Sequence, residues 1–233
     1  MPRKQLLRIT VDIAMAALLP LLMTYSLLGE AVHEWLGAVM LLLLIVHHIW
    51  NAEWYRRLFQ GRHTLYRGAQ SLLTGLLIAG VLGSMVSGAL LSQYVFDIPA
   101  PQQIRDLARL IHLTCAYWSL TLASIHLGLH WGMIMGAART LRKAPLSPPA
   151  ARAFRRGGAL IAAYGVWAFF QNDFPDYLLL RTHFVFWSDA QALGSVLIDY
   201  LAVMGALTFL GYYAGKALRS TGRHSAGNTA AHR

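Results

Sequence analysis

The chain has little charge and almost no cysteine. Of its 233 residues only 13% are charged, about half the share that soluble domains carry. With 56% of its residues hydrophobic, it does not read as a soluble globular protein. It also lacks a polar stretch that could fold separately, since no gap or tail between its apolar blocks exceeds roughly twenty residues. Cys115 is the single cysteine. That excludes an intramolecular disulfide and a C-x-x-C-H site for covalently attached haem, and Cys115 reads as a small packing residue. Acidic residues are scarce too, ten against twenty lysines and arginines.

What is present is apolar sequence in long blocks. About twenty apolar residues suffice to cross a hydrocarbon core, and six blocks reach that length, at 6–28, 32–50, 65–91, 104–138, 153–170 and 190–213. The expected fold is an all-α integral membrane bundle of six transmembrane helices, a single domain over residues 1–233. The first block has the basic start of a signal peptide (Arg3, Lys4 and Arg8), but it is too long for one and no small-residue cleavage site follows, so it reads as an uncleaved helix. The net charge of +10 does not mark a nucleic-acid binder, because of where it lies. With the N-terminus inside, seventeen of the twenty Lys and Arg fall on the inner side and only Arg105, Arg109 and Arg181 outside. The chain is expected to be an inner-membrane protein, and this asymmetry predicts that both of its termini are cytoplasmic. Trp35, Trp50, Trp54, Trp131 and Trp187 lie near expected helix ends, as interfacial anchors do.

Three smaller features follow from composition. Pro145, Pro148 and Pro149 mark a joint between a four-helix front and a two-helix back. Gly75, Gly80, Gly83 and Gly88 crowd the third span, where small residues let another helix, or a flat cofactor, approach closely. The segment 173–189 is the longest external loop and is rich in aromatics, and the polar tail 220–233 reads as disordered.

Histidine is over-supplied, with ten in the chain and six in two spans. The second span carries His33, His47 and His48, and the fourth carries His112, His126 and His130. Ionisable groups at membrane depth are costly and are functional candidates by default. Fourteen residues separate His33 from His47, and fourteen separate His112 from His126. That interval closes to within about 40° of four full turns and rises about 21 Å. The second and fourth spans run in the same direction, so His33 would face His112 near the outer surface and His47 would face His126 near the inner one. Facing imidazoles can sandwich a haem iron between helices, which places two haem sites between the second and fourth spans. His48 lies about 100° round the helix from His47 and can support a ligand by hydrogen bonding rather than touch iron. His130 is one turn beyond His126 and is the alternative inner ligand. His63, His224 and His232 fall in cytoplasmic segments, and spacing assigns no role to His183. Arg105 and Arg109, about two turns and one turn before His112, can pair with haem propionates or snorkel to the interface and pair with Asp106. Asp199, inside the sixth span, can serve a proton path or a quinol site, or bond Ser195 or a neighbouring helix. Asp12 stands four residues from Arg8, and an i,i+4 pair is its simplest account.

These residues resemble known membrane cytochromes. The two H-x13-H pairs on parallel helices are similar to those of respiratory cytochrome b and of ferric-reductase-like proteins. A closer resemblance is to the bacterial flavinylation-associated cytochrome family. It is carried by TYSLLGEAVHEWLGAVMLLLLIVHHIW at 24–50, IHLGLHWGM at 125–133, FPDYLLLRTHFVFW at 174–187 and DYLAVMGALTFLGYY at 199–213. The resemblance implies two haem b groups on His33, His47, His112 and His126, and an external redox partner carrying covalently attached FMN on a separate polypeptide. The chain would then be an electron-transfer subunit rather than a stand-alone catalyst, taking electrons from a quinol or a cytoplasmic donor. Two rival readings remain. One is a metal-ion transporter with a histidine relay, which the absence of proline and the few acids in the histidine-bearing cores disfavour. The other is a structural membrane subunit whose histidines bond neighbouring helices.

Overall fold

The computed structural model describes residues 3–58, 60, 64–141, 147–182 and 192–231, the stretch 221–231 as backbone alone. His63, His183, Trp187 and His232 lie outside the described residues, and so does most of the external loop. The described chain is helical, with no strand. In order it runs α1 (Arg3–Met23), α2 (Tyr25–Leu28), α3 (Glu30–Trp50), α4 (Ala52–Arg57), α5 (Leu65–Leu91), α6 (Gln102–Leu141), α7 (Pro148–Gln171), α8 (Phe174–Leu178) and α9 (Leu193–Ala231). Five of these, α1, α3, α5, α6 and α9, are long and apolar enough to cross a membrane. The helix α7 is long enough at 24 residues, but Arg152, Arg155 and Arg156 in its first turns dilute its hydropathy. Large apolar side chains stand outward along these helices, among them Leu42, Leu72, Val86, Leu160 and Leu210. Hydrocarbon is the solvent in which such a surface costs nothing.

Two differences from the expected elements have local causes. The first span does not run through to residue 28. The Thr24 hydroxyl donates to the Leu21 carbonyl at 2.7 Å, and Gly29 takes φ +85°, a left-handed conformation that disfavours any side chain. The single turn of α2 between them carries Tyr25 to the start of α3. The external loop also begins as structure: Phe174–Leu178 form the short helix α8, with Pro175 in its first turn, where a missing N–H is harmless. At the other end, the backbone of α9 runs on through Ala231. Extending an existing helix needs no new nucleus.

The chain groups into two compact units, and the division does not fall at the proline joint. The first comprises Met1–Gly61, Ala79–Leu120 and Pro175–Ile198. Here α5 lies antiparallel to α6: a Cβ on Gly80 would meet the Ser119 hydroxyl at 3.1 Å, and one on Gly88 would meet the His112 ring at 3.0 Å. The Glu34 carboxylate grips the chain leaving α5, accepting from the Ser92 hydroxyl at 2.7 Å and from the Gln93, Tyr94 and Val95 amides. Tyr177 of α8 stacks on Tyr117 at 4.3 Å, and Trp118 Nε1 donates to the Leu178 carbonyl.

The second unit comprises Arg62–Ile78, Thr121–Phe174 and Asp199–Arg233. Small residues let its backbones touch. A Cβ on Gly128 would lie 2.2 Å from the Thr208 carbonyl oxygen, and one on Gly211 would lie 2.4 Å from that of Ile125. On α7, a Cβ at Gly165 would strike the Ala202 carbonyl. Phe169, Phe174 and Tyr200 form an aromatic cluster, with Phe174 and Tyr200 fully buried.

Candidate functional site

The first unit brings His33 and His112 together. Their ring centroids are 6.0 Å apart, with planes at 78°. His33 sits one turn into α3, and its position follows from the break at Gly29. Tyr25, on the other side of that break, meets the His33 ring edge-on at 5.2 Å. His112 comes from α6 and lies over Gly88 of α5, where any side chain would displace it. Its Nδ1 is 2.9 Å from the Ser84 carbonyl oxygen. A carbonyl only accepts, so Nδ1 carries the proton and the neutral ring keeps its lone pair on Nε2. Ser87 Oγ lies 3.4 Å from the same Nδ1 and donates to the Gly83 carbonyl at 2.6 Å. Nδ1 of His33 is buried without a hydrogen-bond partner. A buried polar atom left so costs on the order of 1–3 kcal/mol, which makes this atom a place where a ligand or a proton acceptor is wanted.

His47 is held differently. Its Nδ1 lies 2.7 Å from Oδ1 of Asp12, on α1. Asp12 thus pairs across helices with a residue 35 positions away instead of with Arg8 on its own helix, because the packing of α1 on α3 brings the middle of one beside the end of the other. The adjacent His48 turns away, its Nδ1 2.6 Å from the Tyr55 hydroxyl.

In the second unit, His126 and His130 lie one turn apart, with ring centroids 4.7 Å apart and planes tilted by 48°. Their nitrogens are used differently. His126 turns Nδ1 towards Thr74 Oγ1 at 3.4 Å, whereas His130 engages the Gln70 side-chain amide through Nε2 at 3.1 Å. His47 and His126 belong to different units.

The remaining candidates are placed as follows. Arg105 donates to the Leu91 carbonyl at the end of α5, at 3.4 Å, and so caps a helix. Arg109 is exposed. Neither pairs with Asp106, which accepts from Gln102 at 2.7 Å. Asp199 accepts from the Tyr164 hydroxyl at 2.5 Å and the Asn172 amide at 3.2 Å, tying α9 to the end of α7, while Ser195 donates to the Ala192 carbonyl. Gly80 and Gly83 face Ser119 and Cys115, so helix packing accounts for them, and Cys115 is the small packing residue expected.

No family model, curated protein or solved structure matches the chain. Among the described residues no group of three or more His, Cys, Asp or Glu is arranged to hold a bare metal ion. Sequence reasoning missed Asp12 as a partner of His47, and Tyr25 and the Ser84 carbonyl beside the His33–His112 pair. An acid in an otherwise apolar stretch of the first span was the available signal for Asp12, whereas a backbone carbonyl leaves none.

Proposed function

We propose that the chain is a di-haem b-type membrane cytochrome of six spans with both termini in the cytoplasm. The observation that carries this reading is the His33–His112 pair. A metal–imidazole bond of about 2 Å, plus about 1 Å from nitrogen to ring centre, puts the centroids of two imidazoles on opposite sides of one metal about 6 Å apart. The observed 6.0 Å fits that arrangement. So does the donor set, since His112 holds its proton on Nδ1 against a carbonyl and keeps Nε2 for a ligand. Metal-bound histidines are commonly oriented by such a bond from the other ring nitrogen. Haem held there would supply a one-electron iron couple. The protein's own part is to aim and fix the imidazoles: Ser84 and Ser87 hold the His112 ring, Gly88 makes room for it, and Gly29 turns the chain so that His33 faces it.

The second pair, His47 with His126, rests on the matched fourteen-residue interval. The way His126 and His130 use their nitrogens supports His126, because it is engaged at Nδ1, as His112 and His47 are. Since Arg105 caps α5, Arg109 is the freer cation for a propionate. A pair of histidines, rather than a cluster of three or four ligands, favours haem over the histidine relay of a transporter. The partners follow the resemblance: membrane lipid around the helices, a quinol or cytoplasmic electron donor, and an external flavinylated acceptor. In this reading α7 is the fifth of the six spans, and α9 packs antiparallel to it through Gly165 and Ala202.

Protein purified from haem-replete cells should carry about two non-covalent haems per chain, extractable into acidified acetone. A folded, colourless preparation would sink the reading. A reporter fused after Arg233 should be active only as a cytoplasmic fusion. Activity on the other side would remove α7 from the spans or reverse the orientation.

A further inference from the structure

The histidines of the first unit differ in what their outer nitrogens touch. The Nδ1–H of His112 meets a neutral backbone carbonyl at 2.9 Å, and Nδ1 of His33 has no hydrogen-bond partner. Nδ1 of His47 alone meets a carboxylate, Oδ1 of Asp12, at 2.7 Å. A carboxylate oxygen accepts, so His47 presents a proton at Nδ1, and its neutral ring keeps the lone pair at Nε2. The bond is short and charge-assisted, of the kind that is roughly twice as strong as a neutral one. Asp12 is also out of place by composition. It interrupts an apolar run of α1, where an acid is costly and is retained for a purpose, and its local candidate partner, Arg8, does not take it.

From this asymmetry we propose that Asp12 is a positioning residue which fixes the tautomer of His47 and makes its haem the lower-potential one of the pair. The inference rests on the haem reading and adds to it an assignment of potentials. An anionic acceptor on Nδ1 gives a ligated imidazole more anionic character. A more anionic ligand favours the ferric over the ferrous state, and hydrogen bonding beyond the ligand is one of the levers by which proteins set haem potentials. His33 and His112 have no anion on their rings and so define the higher-potential site. A merely structural Asp12–His47 bond would tie α1 to α3 without separating the two potentials.

The test is a potentiometric titration of the full-length purified cytochrome, followed optically, for wild type, Asp12→Asn, Asp12→Glu and His47→Ala. Asp12→Asn keeps the shape and an acceptor oxygen but loses the charge. It should raise the lower midpoint by at least tenfold in the reduction equilibrium, about 59 mV for one electron, and leave the higher midpoint in place. Asp12→Glu should keep the lower midpoint near wild type. His47→Ala should abolish the same low-potential component. If two haems are present and Asp12→Asn moves neither midpoint, or moves the one that His33→Ala removes, the inference is overturned while the haem reading stands. A folded wild type without haem overturns both.

Discussion

The glycines that approach a neighbour most closely meet side chains in the first unit and backbone in the second. Along α5, Gly80, Gly83 and Gly88 face the Ser119 hydroxyl, the Cys115 thiol and the His112 ring. In the second unit Gly128, Gly165 and Gly211 face the carbonyls of Thr208, Ala202 and Ile125. The polar contacts divide the same way. The first unit has Glu34 on a cluster of amides, Asp12 on His47 and the Ser84 carbonyl on His112, each bond fixing the direction of a side chain. The second has close backbone crossings, with Thr208 donating to the Ser124 carbonyl where both residues are buried. The tightest contacts of the first unit fix the direction of side chains, and those of the second bring helix backbones to minimum separation. Without a hydrophobic drive between helices in lipid, such close approach is what van der Waals packing has to work with.

The largest expected effect tests the second unit. A Cβ at Gly211 would sit 2.4 Å from the Ile125 carbonyl oxygen, and no rotamer change can relieve a clash with backbone. Gly211→Ala should cost about 1–3 kcal/mol or more, read as a lower melting temperature in detergent, and Gly211→Val should prevent folded protein from accumulating. Gly80→Ala in the first unit should be nearly silent in the same assay. The only tight contact of its Cβ is with the Ser119 hydroxyl at 3.1 Å, which can rotate away, and the backbone atoms near it lie at ordinary van der Waals distance. Equal losses at the two positions would erase the distinction between the units.

The next effect is chemical and leaves the fold intact. His33→Ala and His112→Ala should each lose the same single haem and keep about one per chain, measured by pyridine haemochrome. Loss of different haems from the two variants would break the pair. His126→Ala and His130→Ala sharpen the comparison in the second unit. The first should lose a haem and the second should keep both, because the Nε2 of His130 is turned to Gln70. The opposite result moves the ligand by one turn.

How much of this was legible in the sequence depends on whether the signal was local. The third span was read at 65–91 and α5 occupies Leu65–Leu91, because hydropathy alone bounds a helix flanked by polar turns. The first span was misjudged at its end, where a Thr24 hydroxyl and a left-handed Gly29 override continuous hydropathy. The helix α8 was missed because a five-residue turn after Asp173 has no period to detect. His33 with His112 was legible through equal intervals on two parallel spans. Asp12 with His47 was not, since an arginine four residues away offered a local partner and nothing in sequence ranks it below a histidine on another helix. Which small residues sit at a helix crossing cannot be read from sequence: the glycines flagged there were those of α5, whereas the tightest approaches are made by Gly128, Gly165 and Gly211.

The smallest effect is expected at His48, the neighbour of a proposed ligand, and it marks where the site ends. Its Nδ1 and the Tyr55 hydroxyl are 2.6 Å apart, with Tyr55 on α4 beyond the span. Burial pushes the Tyr55 phenol above its ordinary value of 10.0, so it stays protonated through neutral pH and can donate to the ring. A pKa raised in the folded protein means that the phenol's stabilising contribution is complete below pH 10 and is lost as the pH rises through the raised value. Tyr55→Phe should therefore lower stability at neutral pH by only about 0.5 kcal/mol, the low end for one hydrogen bond, because the side chain is partly exposed. The gap between variant and wild type should close at strongly alkaline pH. Both haems should remain in Tyr55→Phe and in His48→Ala. Loss of a haem from His48→Ala would transfer the ligand from His47 to His48, and would take from Asp12 the role that its bond to His47 implies.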